Sequence, residues 1–240
     1  MNVKKHIPNM ITCCNLISGC IATSFALYGE AKWALLWIII GAVFDFFDGM
    51  TARLLHVSSP IGKELDSLAD DVTFGVAPAT MVFYELQIVD YPTALAPFSQ
   101  YIPYLAFLIA AFSALRLAKF NLDERQTTSF LGLPTPANAL FWGSLLVGMP
   151  DVFENMGSWS VPVLLFLILC SCWILVCELP MFALKFKNWG WNGNEVKYGF
   201  IVMSAMLLAF SGIMRGFWMV ILLYVVISVL LHLTSNSKAE

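Results

Sequence analysis

Apolar runs recur along the whole chain, and the polar stretches between them are too short to build a soluble module. Eight such segments can be marked, at about 10–28, 33–56, 67–88, 101–120, 136–150, 160–180, 197–213 and 217–234. A membrane-crossing helix needs about 20 predominantly apolar residues, and most of these segments supply them. The expected fold is therefore an all-α polytopic membrane bundle of about eight transmembrane helices, read as one integral membrane domain over 1–240. The fifth segment is short, so six spans remain the alternative if paired segments near the C-terminus are re-entrant. Composition agrees: 59% of residues are hydrophobic and 12% charged, with a mean hydropathy of +0.77. Soluble domains carry about twice that charge fraction.

Several classes are set aside by the same reading. No basic patch of the kind that binds nucleic acid is present. Cys13, Cys14, Cys20, Cys170, Cys172 and Cys177 all lie in apolar runs at no metal-finger spacing and read as small hydrophobes. The opening "MNVKKHIPNMITCCNLISGCIATSFALY" has the charge-then-apolar order of a signal peptide without a small-residue cleavage site. An uncleaved first span is expected.

Lys and Arg set the expected orientation. With eight spans and a cytoplasmic N-terminus, Lys4, Lys5, Arg53, Lys63, Arg116, Lys119, Arg125, Lys185, Lys187, Lys197 and Lys238 fall on the cytoplasmic side. Only Lys32 and Arg215 fall on the other. That is the bias of the positive-inside rule. It places both termini, and the loop "LLHVSSPIGKE", in the cytoplasm, with the chain in the bacterial inner membrane.

Between the second and third segments, "DFFDGMTARLLHVSSPIGKELDSLAD" sets four carboxylates where the chain is otherwise apolar. Asp45 and Asp48 are three apart and Asp66 and Asp70 four apart, so each pair shares a helical face. A turn with Ser58, Ser59, Pro60 and Gly62 separates them, and antiparallel packing would bring the pairs together. Clustered carboxylates repel unless a hard cation sits among them, and all-oxygen ligation selects Mg²⁺, Mn²⁺ or Ca²⁺. Pairing with Lys63 or Arg53 at a solvated helix end is the plainer explanation for a single acid; four at this spacing favour metal. Paired metals can clamp an in-line displacement at phosphorus, Gly49 and Ala52 leave room beside the site, and Arg53 offers planar donors to a phosphate.

The run Asp45-x-x-Asp48-Gly49-x-x-Ala52-Arg53, then eight residues, then Gly62-x-x-x-Asp66-x-x-x-Asp70, resembles the signature of the CDP-alcohol phosphotransferases at every position. The resemblance implies an integral membrane enzyme that moves a phosphate-linked group from a CDP-linked donor to an alcohol and releases CMP. It further implies that Asp45, Asp48 and Asp66 hold metal, with two Mn²⁺ or Mg²⁺ ions expected. Asp70 would be the base that deprotonates the acceptor, touching metal as well, while Gly49, Ala52 and Arg53 line the CDP pocket and Gly62 permits close packing. Asp71 departs from the pattern, which prefers an apolar residue there. It is expected to be solvated or Arg-paired, not a fifth ligand.

"GKELDSLADDVTFGVAPA", "SALRLAKFN", "FLGLPTPANA" and "IPNMITCCNLISG" are similar to the phosphatidylserine synthase branch of that family. Together they span about the first 140 residues. The branch implies CDP-diacylglycerol and L-serine as substrates. Arg116 could then pair with the serine carboxylate bidentately, with Asn121 near it, although plain positive-inside anchoring explains Arg116 and Lys119 equally well. Asn9 and Thr12 could hydrogen-bond the cytosine or a phosphate, or simply cap the first span. His6, His56 and His232 read as solvated, Glu178 as paired near the interface, and Trp189 with Trp191 as an aromatic belt. The last 100 residues carry no signature. The expected partners are the two substrates and membrane lipid, with no nucleic acid, and a homodimer stays open. The same chemistry on another alcohol is the first alternative. A cation-coupled transporter is the second, disfavoured by the absence of paired half-sequences.

Overall fold

The computed structural model describes residues 6–57, 59–123, 130–182, 190–191 and 194–236. Lys4, Lys5, Ser58, Arg125, Lys185, Lys187, Trp189 and Lys238, named above, lie outside the described residues. In chain order the helices are α1 (His6–Leu27), α2 (Ala31–Leu54), α3 (Pro60–Asp70), a π-helical turn (Asp71–Val76), α4 (Ala77–Ile88) and α5 (Leu108–Leu122), the last entered through a 3₁₀ segment (Ile102–Phe107). Then follow α6 (Thr135–Gly148), α7 (Pro150–Asn155), α8 (Ser160–Val176), α9 (Glu195–Ser211) and α10 (Ile213–Asn236). The all-α expectation holds. The extended structure among the described residues is a two-residue antiparallel bridge of Phe130–Leu131 (β1) with Pro180–Met181 (β2).

Helical structure occupies each of the eight marked segments, but five stretches are by themselves long and apolar enough to cross a membrane: His6–Leu27, Ala31–Leu54, Ile102–Leu122, Gly157–Val176 and Ile213–Thr234. The others miss for separate reasons. α6 has 14 residues and α9 has 17. The third segment is one long rod, α3 through α4, broken by the π turn and carrying acids in its first half. Pro78 explains where that rod is irregular. A proline has no N–H to give the carbonyl four residues back, and the wider π turn ends just before it.

The connection from α2 to α3 is short and tightly specified. Val57 N–H bonds to Ala52 O at 3.0 Å and His56 N–H to Arg53 O at 3.2 Å. This is a Schellman end in which His56, at φ +52°, takes the left-handed position usually given to glycine. Ser59 then caps α3, its Oγ accepting from Gly62 N–H at 3.0 Å, with Pro60 at the first helical position. The chain reverses within a few residues, so the acids of α2 and α3 end at the same level.

Backbone proximity holds the first three elements together. A Cβ placed on Gly19 of α1 would lie 2.7 Å from Thr73 Cα, and one on Gly41 of α2 would lie 2.5 Å from Thr73 Cγ2. Two glycines thus let α1 and α2 close around the π turn, and Thr73 Oγ1 donates to Asn15 O at 3.0 Å across that crossing. Below it the core is apolar and fully buried, with Ile38, Phe74, Trp142, Leu164 and Ile168 at its centre. Trp142 Nε1 donates to Ser171 Oγ at 3.0 Å, and Ser171 donates to Asn138 Oδ1 at 2.6 Å, which tethers α6 to α8. α9 and α10 leave large apolar side chains such as Phe210 and Leu222 exposed, as suits lipid contact.

Gly19→Ala should lower thermal stability in detergent by about 1–3 kcal/mol, the usual cost of overpacking, because the obstacle is Thr73 backbone. Gly199→Ala, with nothing within 4 Å of its new methyl, should be neutral or stabilising. Thermal unfolding followed by size-exclusion chromatography compares the two, and equal melting temperatures would refute the tight crossing.

Candidate active site

Three carboxylates converge where α2 and α3 meet. One oxygen each from Asp45, Asp48 and Asp66 lies within 4.8 Å of the others, with Asp48 buried and the other two half-buried. Asp66 Oδ1 is buried and has no hydrogen-bond partner among the described residues. Oxygen-only donors at this separation, one of them unpartnered, fit a hard divalent cation. Asp70, one turn further along α3, is buried and interacts electrostatically with Asp45, Asp66 and Asp48. It stands beside the trio without belonging to it.

α1 supplies neutral donors to this anionic cluster. Thr12 Oγ1 donates to Asp48 Oδ2 at 2.6 Å, and Asn15 Nδ2 donates to Asp70 Oδ1 at 3.0 Å. Both side chains are buried, so each bond fixes a carboxylate rotamer without adding charge. Asn15 escaped the sequence reading although it lies within the quoted "IPNMITCCNLISG". The signal was available: Thr12 and Asn15 are three apart and share a face with Pro8 and Gly19.

A cavity of about 260 Å³ opens beside the trio. α1 contributes Asn9 and Thr12 to its wall, α2 contributes Asp48, Gly49 and Ala52, and the start of α3 contributes Gly62, Lys63 and Asp66. Every residue expected to hold the CDP group therefore lines one cavity, except Arg53. Arg53 is exposed and lies in a neighbouring shallow hollow with Ala52, His56 and Val57. Gly49 keeps the wall open, since a Cβ there would meet nothing closer than Arg53 Nη1 at 4.0 Å. Gly62 packs closely, as expected: a Cβ would sit 3.0 Å from Asn9 Oδ1 and from Ser59 Oγ.

Arg116 is buried rather than an interfacial anchor, at 7% exposure, and its Nε has no hydrogen-bond partner among the described residues. It lies within electrostatic range of Asp70 and of the Tyr224 hydroxyl of α10, and its guanidinium carbon stands 5.9 Å from the Phe120 ring centre. Asn121 does not accompany it. Its Nδ2 donates to Ser67 Oγ at 2.8 Å and its carbonyl accepts from Lys63 Nζ at 3.0 Å, so it ties the end of α5 to α3. Asp71 is not the solvated group expected, and no Arg hydrogen-bonds its Oδ1 among the described residues. It is half-buried, and its Oδ1 is enclosed without a hydrogen-bond partner among the described residues. The π turn that starts at Asp71 directs that oxygen against Gly75, whose Cβ would lie 2.6 Å from it, beside Ser113 of α5. It is not among the three carboxylates whose oxygens lie within 4.8 Å of one another.

Tyr224 was also missed, and no motif announces it. Its hydroxyl donates to Phe182 O at 3.1 Å, and its ring packs on Phe182 and Phe200. The supposedly featureless C-terminal region thus reaches the neighbourhood of Arg116.

Comparison with known proteins extends the geometry. A curated relative from Bacillus subtilis (strain 168), named CDP-diacylglycerol–serine O-phosphatidyltransferase, is 42% identical over 132 residues, covering 55% of this chain and 70% of the relative. A protein of the same name from Mycobacterium bovis is 33% identical over 183 residues, covering 73% of this chain and 60% of that protein's length. Another, from Methanocaldococcus jannaschii, is 29% identical over 233 residues and covers 96% of each chain. The sequence profile of the CDP-alcohol phosphatidyltransferases matches residues 5–230. The signature that converges on one site in the fold and the match over nearly the whole chain agree, and the chain belongs to the CDP-alcohol phosphatidyltransferase family.

Proposed function

We propose that this chain transfers the phosphatidyl group of CDP-diacylglycerol to the hydroxyl of L-serine, with release of CMP, and that residues 1–240 act as one catalytic domain. The observation that carries this reading is the juxtaposition of the Asp45–Asp48–Asp66 trio, the adjoining cavity and the buried Arg116 near Asp70. The names borne by the relatives point to the same substrates.

In this assignment Asp45, Asp48 and Asp66, with Asp70 beside them, would hold divalent metal, Mg²⁺ or Mn²⁺, in two ions. Bound there, the metal offsets charge on the donor diphosphate. The cytidine side of the donor occupies the cavity walled by Asn9, Thr12, Gly49, Ala52 and Gly62. Asn15 holds Asp70 Oδ1, and Oδ2 takes the serine hydroxyl proton. The serine oxygen attacks the phosphorus that bears diacylglycerol, a new P–O bond forms, and the bond to the CMP oxygen breaks with its electron pair leaving on CMP. Arg116 pairs with the serine carboxylate. Asn121 acts through Ser67 and Lys63 and positions the ends of α3 and α5. The signature end of the bundle faces the cytoplasm, where CDP-linked donors and serine meet, and the membrane is the bacterial inner membrane. A homodimer is compatible with the lipid-facing α9 and α10.

Purified protein given CDP-diacylglycerol and a panel of alcohols should release CMP and form phosphatidylserine with serine. A product made with another alcohol alone would move the assignment elsewhere in the family. Chelation should abolish turnover, and Mn²⁺ or Mg²⁺ should restore it. Asp66→Asn should weaken Mn²⁺ binding and turnover together. Asp70→Asn should cut turnover by about 10²–10⁴, the usual worth of a general base, while donor binding persists. Near-normal turnover in Asp70→Asn would remove Asp70 from the base role. Arg116→Ala should raise the KM for serine and leave the KM for the donor unchanged.

A thiol tag after Lys63 should react with impermeant reagent only from the cytoplasmic side. One near Asp151 should react only from the other. Labelling of the Lys63 site from outside would invert the assigned orientation.

A further inference from the structure

The start of α3 brings a cation to the cavity beside the carboxylate trio. Lys63 lines that cavity, one residue beyond Gly62 and three before Asp66, and residues three apart share a helix face. Lys63 therefore stands one turn from the trio toward the N-terminus of α3, where the helix dipole also favours negative charge. Among the described residues that wall the cavity it is the one cation. Arg53, which the signature offers to a phosphate, lies in the neighbouring hollow instead.

Lys63 is held in place. Its Nζ donates to Asn121 O at 3.0 Å. A ring of hydrogen bonds fixes that carbonyl in turn: Asn121 Nδ2 donates to Ser67 Oγ at 2.8 Å, and Ser67 Oγ donates to Lys63 O at 3.3 Å. An ammonium carries three N–H donors, so one bond to a carbonyl leaves two. The carbonyl is neutral, so the positive charge is not cancelled. Asp66 does not take it either, since its buried Oδ1 has no hydrogen-bond partner among the described residues. A lysine gives up much rotamer freedom when it grips an anion. Here the end of α5 has restricted that freedom beforehand, which favours binding.

We propose that Lys63 binds the diphosphate of the CDP-linked donor, and that Asn121 and Ser67 preorganise it for that contact. A diphosphate in this cavity lies beside Asp48 and Asp66, and a cation in the same wall offsets the repulsion those carboxylates impose on it. Charge-assisted bonds from an ammonium to phosphate oxygens are among the stronger hydrogen bonds a side chain makes. The inference rests on the transferase reading above. It adds Lys63 to the donor-binding residues and makes Asn121 and Ser67 positioning residues, so that the end of α5 serves the donor through α3.

Isothermal titration of full-length protein with CDP, in detergent with Mg²⁺, is the test. Lys63→Met keeps the length of the side chain and removes its charge. It should weaken CDP binding by about tenfold, equivalent to ~1.4 kcal/mol, and raise the KM for CDP-diacylglycerol to a similar extent. The KM for serine should stay within about twofold. Lys63→Arg should retain most of the affinity. Lys63→Gln, neutral but still a donor for Asn121 O, should lose as much as Lys63→Met, and it decides the matter if Lys63→Met does not fold. Between about 50 and about 500 mM salt, CDP binding should weaken more steeply in the wild type than in Lys63→Met, because screening acts on the charge that the variant lacks. Asn121→Ala should weaken CDP binding by a smaller factor and have no further effect in Lys63→Met, a coupling that independent structural roles would not produce. Wild-type protein that forms no phosphatidylserine from CDP-diacylglycerol and serine refutes the transferase reading. Active wild type with unchanged CDP affinity and salt dependence in the neutral variants, or with additive losses in Asn121→Ala and Lys63→Met, overturns this inference alone.

Discussion

The rest of the structure depends on holding like charges together in an apolar protein. Three carboxylate oxygens within 4.8 Å of one another repel by about 3 kcal/mol per ionised pair at an effective dielectric of ~20, and Asp70 adds to the same field. Nothing in the lipid-facing part of the chain offsets this. The compensation is local and of two kinds: hydrogen bonds from Thr12 and Asn15, and an oxygen-only geometry that fits a divalent cation. Thr12 and Asn15 are neutral, so they orient the carboxylates without competing for the charge that the cation would neutralise.

That arrangement explains several otherwise awkward features of the backbone. His56 adopts a left-handed conformation that costs a non-glycine residue energy, yet it ends α2 sharply enough for Ser59 to start α3 at the level of the aspartates. Gly19 and Gly41 give up side chains to let Thr73 approach. Asp70 closes α3 on the cluster side, and Asp71 opens the π turn with its Oδ1 against Gly75 beside α5. The sharp end at His56, the close crossing at Gly19 and Gly41 and the π turn all lie within a few turns of the carboxylates.

The fold class was legible because twenty-residue apolar runs have few other uses, and the carboxylate trio because spacing on two helices joined by a short turn leaves little freedom. The cavity walls followed from small residues in the signature. What sequence spacing could not supply was contact across long separations. The bond from Asn15 to Asp70 bridges helices that no periodicity relates, and the approach of Tyr224 to Arg116 links α10 to α5. Asp71 was misjudged because packing, not rotation, decides its exposure: the π turn lies against α5, and Asp71 Oδ1 is enclosed beside Gly75 and Ser113. Asn121 was read beside Arg116 by sequence order, but on α5 its side chain turns to Ser67. A position count gives the helix face; only packing shows which neighbour occupies it.

The placement of the charged groups also bears on how one scaffold can serve different acceptors. The carboxylates, their α1 donors and the walls of the first cavity all come from α1, α2 and α3. Arg116 is carried by α5, and the hollow it lines with Lys119, Leu131 and Cys177 draws on α5, β1 and the end of α8. The two sets meet where the charge of Arg116 reaches Asp70, and elsewhere they are carried by separate helices. Under the proposed function, binding of the CDP donor depends on the first set and choice of the alcohol on the second. A change in α5 or α8 can then alter the acceptor without disturbing the cluster of like charges, whose geometry leaves far less room for substitution.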